Sequence, residues 1–436
     1  MRSITGKFQA VRDSFVTVAR VIMATELWVV AGLVALSVAS VRVLPWAVLL
    51  TAGFWLVRWA AQRSLSIRTP ADWPIFALVL LCPITVSITA VPGITREQVF
   101  RLLLGIGLYY AVVNWTTTAA RLRRLVMSVL AASSGLAMAV PWIVAGPDAG
   151  KLPFIPRSLY TVVKPLVSHT INANVMAGAL VLFLPLAVAL LWFGYSELRS
   201  LERLLTASTV LLVGGMLLLT QSRGAFIGVG VALAGLVALR HQRGWLWLVG
   251  GALLSAVALN ITGSAATVAA LSHNPTLGGL DGRLEIWSRA IYIIQDFPLT
   301  GIGMGGFQPL VDTTYPLFLM PNGIPHAHNL FLQIAVDLGL PGLIAWLSVV
   351  LLVCGAAWHV FQAGRRVGAL TTGLGAGLLA SEIALLVHGL TDAVTWGMVR
   401  TAVLPWALWG LTMAAWRLHG PADQVPDASH TVRNAQ

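Results

Sequence analysis

The chain has 436 residues, of which 57% are hydrophobic and only 10% charged, whereas a soluble domain of this size carries roughly 25% charged residues. Repeated apolar runs of about 20 residues exclude an ordinary soluble enzyme and leave an all-α polytopic membrane protein. The net charge of +12 comes from basic residues scattered between apolar runs, a pattern of membrane orientation rather than of a nucleic-acid surface, so no nucleic-acid partner is expected.

The opening stretch MRSITGKFQAVRDSFVTVAR is basic and polar, and no small-residue cleavage site follows it. It reads as a cytoplasmic N-terminus rather than a cleavable signal. Twelve spans are predicted, near 24–41, 43–59, 74–91, 99–118, 124–145, 171–195, 204–221, 224–239, 244–262, 329–358, 369–390 and 398–416. Together they make one integral membrane domain over 1–436. Cys82 and Cys354 lie in apolar runs and have no metal-ligand spacing.

One set of loops holds Arg58, Arg63, Arg68, Arg121, Arg123, Arg124, Arg199, Arg203, Arg240, Arg243, Arg365 and Arg366. The termini add Arg2, Lys7, Arg12, Arg20, Arg417 and Arg433, so most of the 28 basic residues share a side. The positive-inside rule places that side, both termini and the polar tail 418–436 in the cytoplasm. The opposite side carries a loop at 146–170 and a much longer one at 263–328, between spans nine and ten. The second exceeds ordinary connection lengths and is a candidate functional element. Within it, Asp281, Arg283, Glu285, Arg289 and Asp296 interleave with Trp287, Ile291 and Ile294. That spacing predicts an amphipathic helix lying on the membrane or capping a cavity. GIGMGGF (301–307) has no βαβ context for a nucleotide loop, and its glycines suit a tight turn.

The side assignment sorts the polar residues at span ends. Arg223, His326, His328, His388, Asp392, Asn172 and Asn174 all fall on the outer side. Outer-side arginines run against the expected depletion, and an anionic ligand supplies a reason for them. The guanidinium fork pairs two oxygens at once, which suits phosphate or diphosphate. Arg223 and Arg283 can bracket such a group; taken singly, Arg223 reads rather as a residue snorkelling to headgroups and Arg283 as one on a solvated helix face, and it is the histidines on the same side that favour the anion. His328 opens a helix, where the positive dipole end keeps imidazole neutral and available as a general base. His326 is a second candidate base. Asp392 either orients His388 or joins it in tying the eleventh span to its neighbours. His326 and His328 can face one metal ion, but no third ligand stands at recognisable spacing, so no metal or cofactor is expected.

These residues resemble the bacterial superfamily of O-antigen ligases, O-antigen polymerases and protein O-oligosaccharyltransferases. His328-Asn329, nine residues, Gly339, two residues and Gly342 match the ligase pattern, with Leu343-Ile344 where a Thr-Thr pair often follows. TQSRGAFIG resembles the family's Ser-Arg-Gly element. GRLEIWSRAIYIIQDFPLTGIGMGGF resembles its Arg, Trp, Pro and Gly-Ile-Gly block, with Arg283 on the arginine. The similarity runs from about 170 to 395.

The resemblance implies a GT-C-like membrane glycosyltransferase in the bacterial inner membrane, among membrane lipids, with a periplasmic site. Its donor is a polysaccharide on undecaprenyl diphosphate and its acceptor a hydroxyl of lipid A–core. In this reading His328 is the base, and Arg223 and Arg283 hold the diphosphate. Arg289, His326, Asn329, Lys164, Arg157, Asn174, His388 and Asp392 bind or orient substrate. The activated donor needs neither ATP nor metal, and direct displacement inverts the anomeric centre. The polymerase and the protein oligosaccharyltransferase are rival readings. A transporter is disfavoured because the polar residues gather at span ends rather than at the bilayer midplane, Glu382 being the main exception.

Overall fold

The computed structural model describes residues 2–144, 171–241, 243, 244, 246, 279–319, 323–393, 395–397 and 399–419, with side chains from residue 14 onward. The described residues are helical, joined by turns and one isolated bridge between Val144 and Ile171. The helices in chain order are α1 (Arg2–Ala39), α2 (Leu44–Gln62), α3 (Asp72–Ile88), α4 (Pro92–Trp115), α5 (Ala119–Ile143), α6 (Ala173–Leu180) and α7 (Leu184–Gly194). They continue with α8 (Ser200–Thr220), α9 (Arg223–Arg240), α10 (Gly279–Asp296), α11 (Phe307–Thr313), α12 (Leu330–Val367), α13 (Ala369–Gly389) and α14 (Leu404–His419).

Eight segments among the described residues are long and apolar enough to cross a membrane. The other four expected spans differ for identifiable reasons. Helix α3 is only 17 residues long. Helix α4 carries Arg96, Glu97 and Arg101 in its first half. The last span is divided between a 3-10 turn, Arg400–Val403, and α14. The span expected at 244–262 lies outside the described residues, apart from positions 244 and 246, as do the loop 146–170 and the tail from 420 onward.

Helix α13 occupies the centre and packs on α12, α7 and α9. Small residues permit this, because an apolar solvent supplies little drive for helix association and close van der Waals contact must supply it. A Cβ at Gly375 would come within 2.2 Å of the Phe361 nitrogen, and one at Gly228 within 2.7 Å of the Ala384 carbonyl. One apolar core joins α1–α5 to α12 and α14, and a second joins α5–α9 to α13.

The molecule has two distinct ends. At one, Glu197 accepts the N–H groups of Ala369 and Leu370 and so caps α13. Arg123 binds both the Glu202 carboxylate and the Glu197 carbonyl there. Three of the arginine-rich stretches, around 121–124, 199–203 and 365–366, therefore meet at one end. At the other end α10 does form, over Gly279–Asp296. Its Ile286, Ala290 and Ile293 bury against Phe307, Val311, Ile324, Ala327 and Val336 in a small third core. Helix α10 thus packs on the start of α12.

Candidate active site

Helix α12 begins with a built N-cap. Asn329 Oδ1 accepts the N–H groups of Phe331 and Leu332 at 3.0 and 3.1 Å, satisfying donors that a helix start leaves unpaired. Its Nδ2 donates to the Leu390 carbonyl at 3.1 Å. The Asn of the His-Asn pair thereby ties the start of α12 to the end of α13. Just before it, His328 has φ of 48°, a left-handed conformation that costs a non-glycine residue about 1–3 kcal/mol and recurs at functional sites. Its N–H donates to His326 Nδ1 at 3.1 Å, and the two rings lie 4.1 Å apart.

Asp392 enters from the other side. Helix α13 stops at Gly389, and the Asp392 N–H still reaches back to the His388 carbonyl at 3.1 Å. The carboxylate does not turn to His388 as the i,i+4 spacing suggested. Its Oδ1 lies 3.4 Å from His328 Nδ1 and 3.8 Å from His326 Nε2. All four side chains, His388 included, are buried. His328 Nδ1 is buried without a hydrogen-bond partner among the described residues.

Two guanidiniums flank this group. Arg283 Nη1 donates to the Thr391 carbonyl at 2.6 Å. Arg283 also senses the charges of both Asp392 and Arg223, so the three lie in one electrostatic neighbourhood. Arg223 is placed by the turn that precedes it. Gln221, at φ 52°, reverses the chain after α8, and Arg223 is the first residue of α9. A cation at a helix N-terminus opposes the helix dipole, so its position there is not explained by helix stability. A Cβ on the adjacent Gly224 would meet Thr391 Oγ1 at 2.1 Å, which shows how closely α9 lies against the 388–392 turn.

The electrostatics assign protonation states. Burial, with some help from the charge of His328, pushes His326 down to about 4 against the pull of Asp392. His326 is therefore neutral near pH 7. Burial raises the Asp392 carboxyl, but the close approach of His328 and the charges of His326 and His388 outweigh it and hold the group below the usual carboxylate range. Burial lowers Arg283, with Asp392 opposing and Arg223 adding to the shift. A guanidinium starts so high that it stays charged.

Arg223, Arg283, His326, His328, Asn329, His388 and Asp392 thus converge from four separate stretches of chain. Arg289 does not join them. Its Nε donates to the Pro316 carbonyl at 3.0 Å, and it stacks on Phe318 and pairs with Glu285. Glu285 in turn accepts the N–H groups of Phe318 and Leu319, so this pair braces the loop. Asn174 sits in the first turn of α6, its N–H on the Asn172 cap. Lys164 and Arg157 lie outside the described residues.

The absence of a third metal ligand, expected from spacing, needs correction. Donor atoms of His326, His328 and Asp392 come within 4.8 Å of one another. Two imidazoles and one carboxylate are a donor set that suits a divalent ion such as zinc. The third member stands 64 positions after His328 in the chain, beyond the reach of any local spacing rule.

Sequence reasoning also passed over Gln333, Asp337, Thr391 and Trp396. Gln333 and Asp337 are an i,i+4 polar pair inside an apolar run, and that was the one signal available. Asp337 Oδ1 accepts from Gln333 Nε2 at 2.9 Å and from the Gly305 N–H at 3.2 Å, and its Oδ2 accepts from Trp396 Nε1 at 2.9 Å.

The two glycines of the His-Asn pattern lie at a break in α12. Gly339 has φ of 70°, and Pro341 follows inside the helix. The broken ladder is mended by the loop before it. Ile302 donates to the Val336 carbonyl at 2.9 Å, and the Leu340 N–H goes to Pro298 at 2.7 Å. A Cβ on Gly339 would lie 2.7 Å from the Leu299 carbonyl group. The glycine turn 301–307 forms as expected, with Gly301, Gly303 and Gly305 all at positive φ. It docks on the first half of the chain through Thr85 and Thr95.

A sequence model of the O-antigen ligase family matches residues 207–347. That stretch holds Arg223, Arg283, His326, His328, Asn329, Gly339 and Gly342 and ends short of His388 and Asp392. An O-antigen ligase of Pseudomonas aeruginosa (strain PAO1) is 28% identical over 175 residues. The similarity spans 39% of this chain and 40% of that protein, about two fifths of the relative's length. The His-Asn and Ser-Arg-Gly elements both lie inside the segment the family model matches, and over that segment the chain is similar to O-antigen ligases.

Proposed function

We propose that this chain joins a polysaccharide carried on undecaprenyl diphosphate to a hydroxyl of lipid A–core. The observation that carries this reading is geometric: Arg283 bonds the Thr391 carbonyl and the start of α9, which holds Arg223, lies against Thr391, one residue before the Asp392 that faces His326 and His328. The acceptor hydroxyl gives its proton to His328 Nε2, while Nδ1, 3.4 Å from Asp392 Oδ1, faces the orienting carboxylate. Its oxygen attacks the anomeric carbon while the bond to the diphosphate oxygen breaks on the opposite face. The product is inverted. Arg223 and Arg283 take up the charge that develops on the diphosphate, in a buried setting where such pairing is strong. Asp392 orients His328 and stabilises the imidazolium as it forms.

In this reading the protein lies in the bacterial inner membrane. The arginine-rich end and both termini are cytoplasmic, and the histidine cluster is periplasmic. Basic Lys164 and Arg157 receive the phosphorylated core of the acceptor.

The test is a strain lacking the protein and complemented with His328→Ala. Loss of the polysaccharide ladder on lipopolysaccharide is expected, with long polymer accumulating on the lipid carrier and normal protein abundance. Removing a general base costs about 10²–10⁴-fold in rate. Near-normal transfer would remove His328 as the base, and core carrying a single repeat unit would make the protein a polymerase. In a purified assay, transfer that survives EDTA supports the metal-free route. Reversible loss on chelation would instead make the His326, His328 and Asp392 set a metal site.

A further inference from the structure

The Asp337 network reaches the proposed base through one more bond. Gln333 Oε1 accepts the Ala327 N–H at 2.8 Å, and Ala327 stands between His326 and His328. All of Ala327, Gln333, Asp337 and Trp396 are buried. The chemistry fixes the direction of every bond. Asp337 receives only donors: Gln333 Nε2, the Gly305 N–H and Trp396 Nε1. The Ala327 N–H can only donate, which leaves the Gln333 amide one orientation, with oxygen toward Ala327 and nitrogen toward Asp337.

The same carboxylate therefore joins three segments around the cluster. Gly305 belongs to the glycine turn, Ala327 to the histidine turn, and Trp396 lies four residues after Asp392. The strained φ of His328 needs such support, because a conformation of this cost persists only where its surroundings over-determine it. A buried network of this kind is rigid only when every member is satisfied.

We propose that Gln333 and Asp337 form a positioning relay that holds the histidine turn, and with it His328, in register with Asp392. The inference rests on the reading of His328 as the base. Neither relay residue touches substrate. Their effect is on the alignment of a group that does, where a displacement of 1 Å can cost about 10²-fold.

The experiment reverses the relay. In Gln333→Glu, a carboxylate faces the Asp337 carboxylate. In Asp337→Asn, the amide nitrogen must face a donor, either Gln333 Nε2 or Trp396 Nε1. The double variant Gln333→Glu/Asp337→Asn restores complementarity. The amide introduced at position 337 donates to the carboxylate introduced at position 333 and accepts from Trp396. That carboxylate still accepts from Ala327, and only the Gly305 bond is lost.

The assay uses the purified full chain in lipid nanodiscs, undecaprenyl-diphosphate-linked polysaccharide as donor and core lipopolysaccharide as acceptor. Each single variant is expected to lower kcat by about 10–100-fold, with donor KM within about threefold and normal abundance. The double variant recovers at least about tenfold of that loss. Wild-type kcat in both singles overturns the relay, and so does a double variant no better than the worse single. Reduced abundance or a lower Tm with unchanged kcat per folded molecule also overturns it, by making the network purely structural. If Asp337→Asn fails to accumulate, Gln333→Met carries the test, since it loses the Ala327 bond but leaves Asp337 with Trp396 and Gly305. His328→Ala runs beside every variant. Full activity of relay variants beside an inactive His328→Ala sinks the relay alone, whereas an active His328→Ala sinks the base reading and the relay with it.

Discussion

Arg123 at the arginine-rich end and Arg283 beside the histidines are set in opposite ways. At the arginine-rich end, guanidiniums are matched locally. Arg123 holds Glu202 and the Glu197 carbonyl, Arg121 and Arg124 lie over Trp115, Arg63 lies over Trp59, and Arg203 lies over Tyr195. Such contacts anchor a chain at a membrane boundary. At the histidine end, Arg283 is drawn into the protein, bonds a backbone carbonyl, and faces one carboxylate and a second guanidinium. The lesson is that the setting of an arginine, and not its side of the membrane alone, separates an orientation signal from a binding group. A ring or a nearby acid completes the first kind. The second kind is drawn into the protein beside other charged groups, where the proposed function places the diphosphate.

The largest effect that would sharpen this contrast is at the histidine end. Arg283→Lys and Arg223→Lys should each lower polysaccharide transfer by about 10–100-fold, because a single ammonium cannot reproduce a two-oxygen fork. Transfer within about twofold of normal would break the contrast and return both residues to a snorkelling role.

A substitution at the break in α12 comes next. Gly339→Ala introduces a Cβ 2.7 Å from the Leu299 carbonyl at a φ of 70°. A loss of about 1–3 kcal/mol in stability is expected, read as a lower Tm in detergent. An unchanged Tm would show that the loop before α12 gives way freely and does not hold the break.

Acid should act at the histidine end. His326, facing His328, Asp392 and Arg283, is held near 4 in the folded protein by burial. An unfolded chain takes up that proton near pH 6.5. Between those values the unfolded state binds more protons, so stability falls as pH drops through this window, by up to about 3 kcal/mol. Asp392 keeps its charge throughout the window and adds nothing to the loss. His326→Gln should flatten the fall in Tm between about pH 7 and pH 4.5. An equally steep fall in that variant would place the acid-sensitive group elsewhere.

The smallest effect is expected at the other end. Arg121→Lys keeps the charge and gives up a stack on Trp115, worth about 0.5–1 kcal/mol. Transfer should remain within about twofold of normal. A large loss there would erase the distinction between the two ends.

Much of the helical plan was legible because hydrophobic length and periodicity are local properties. The apolar runs near 124–145, 204–221, 224–239 and 369–390 all became single helices at those places. The plan was less legible where polar residues interrupt an apolar run, as in α4, or where a run is short, as in α3. The candidate site was half legible. Arg223, Arg283, His326 and His328 were singled out because ionisable groups at span ends are expensive and need a reason. Arg289 has the same chemistry but faces Pro316 and Phe318, and only the helical phase of α10 against its neighbours separates it from Arg283. That Asp392 faces His326 and His328 has no local signal, because the i,i+4 spacing points only to His388 and the helix ends at Gly389.

The sequence by itself determined that this chain is a multi-helix membrane protein, which of its loops are rich in arginine, and which motifs resemble a ligase. Each of these is written in residues that are neighbours in the chain. Only the tertiary structure decided that Asp392 faces His326 and His328, that Asn329 ties α12 to the end of α13, and that Gln333 and Asp337 link the histidine turn to Trp396. The physical reason is that a buried polar group must find its partner wherever the packed helices bring one, and that partner can lie 60 residues or more along the chain.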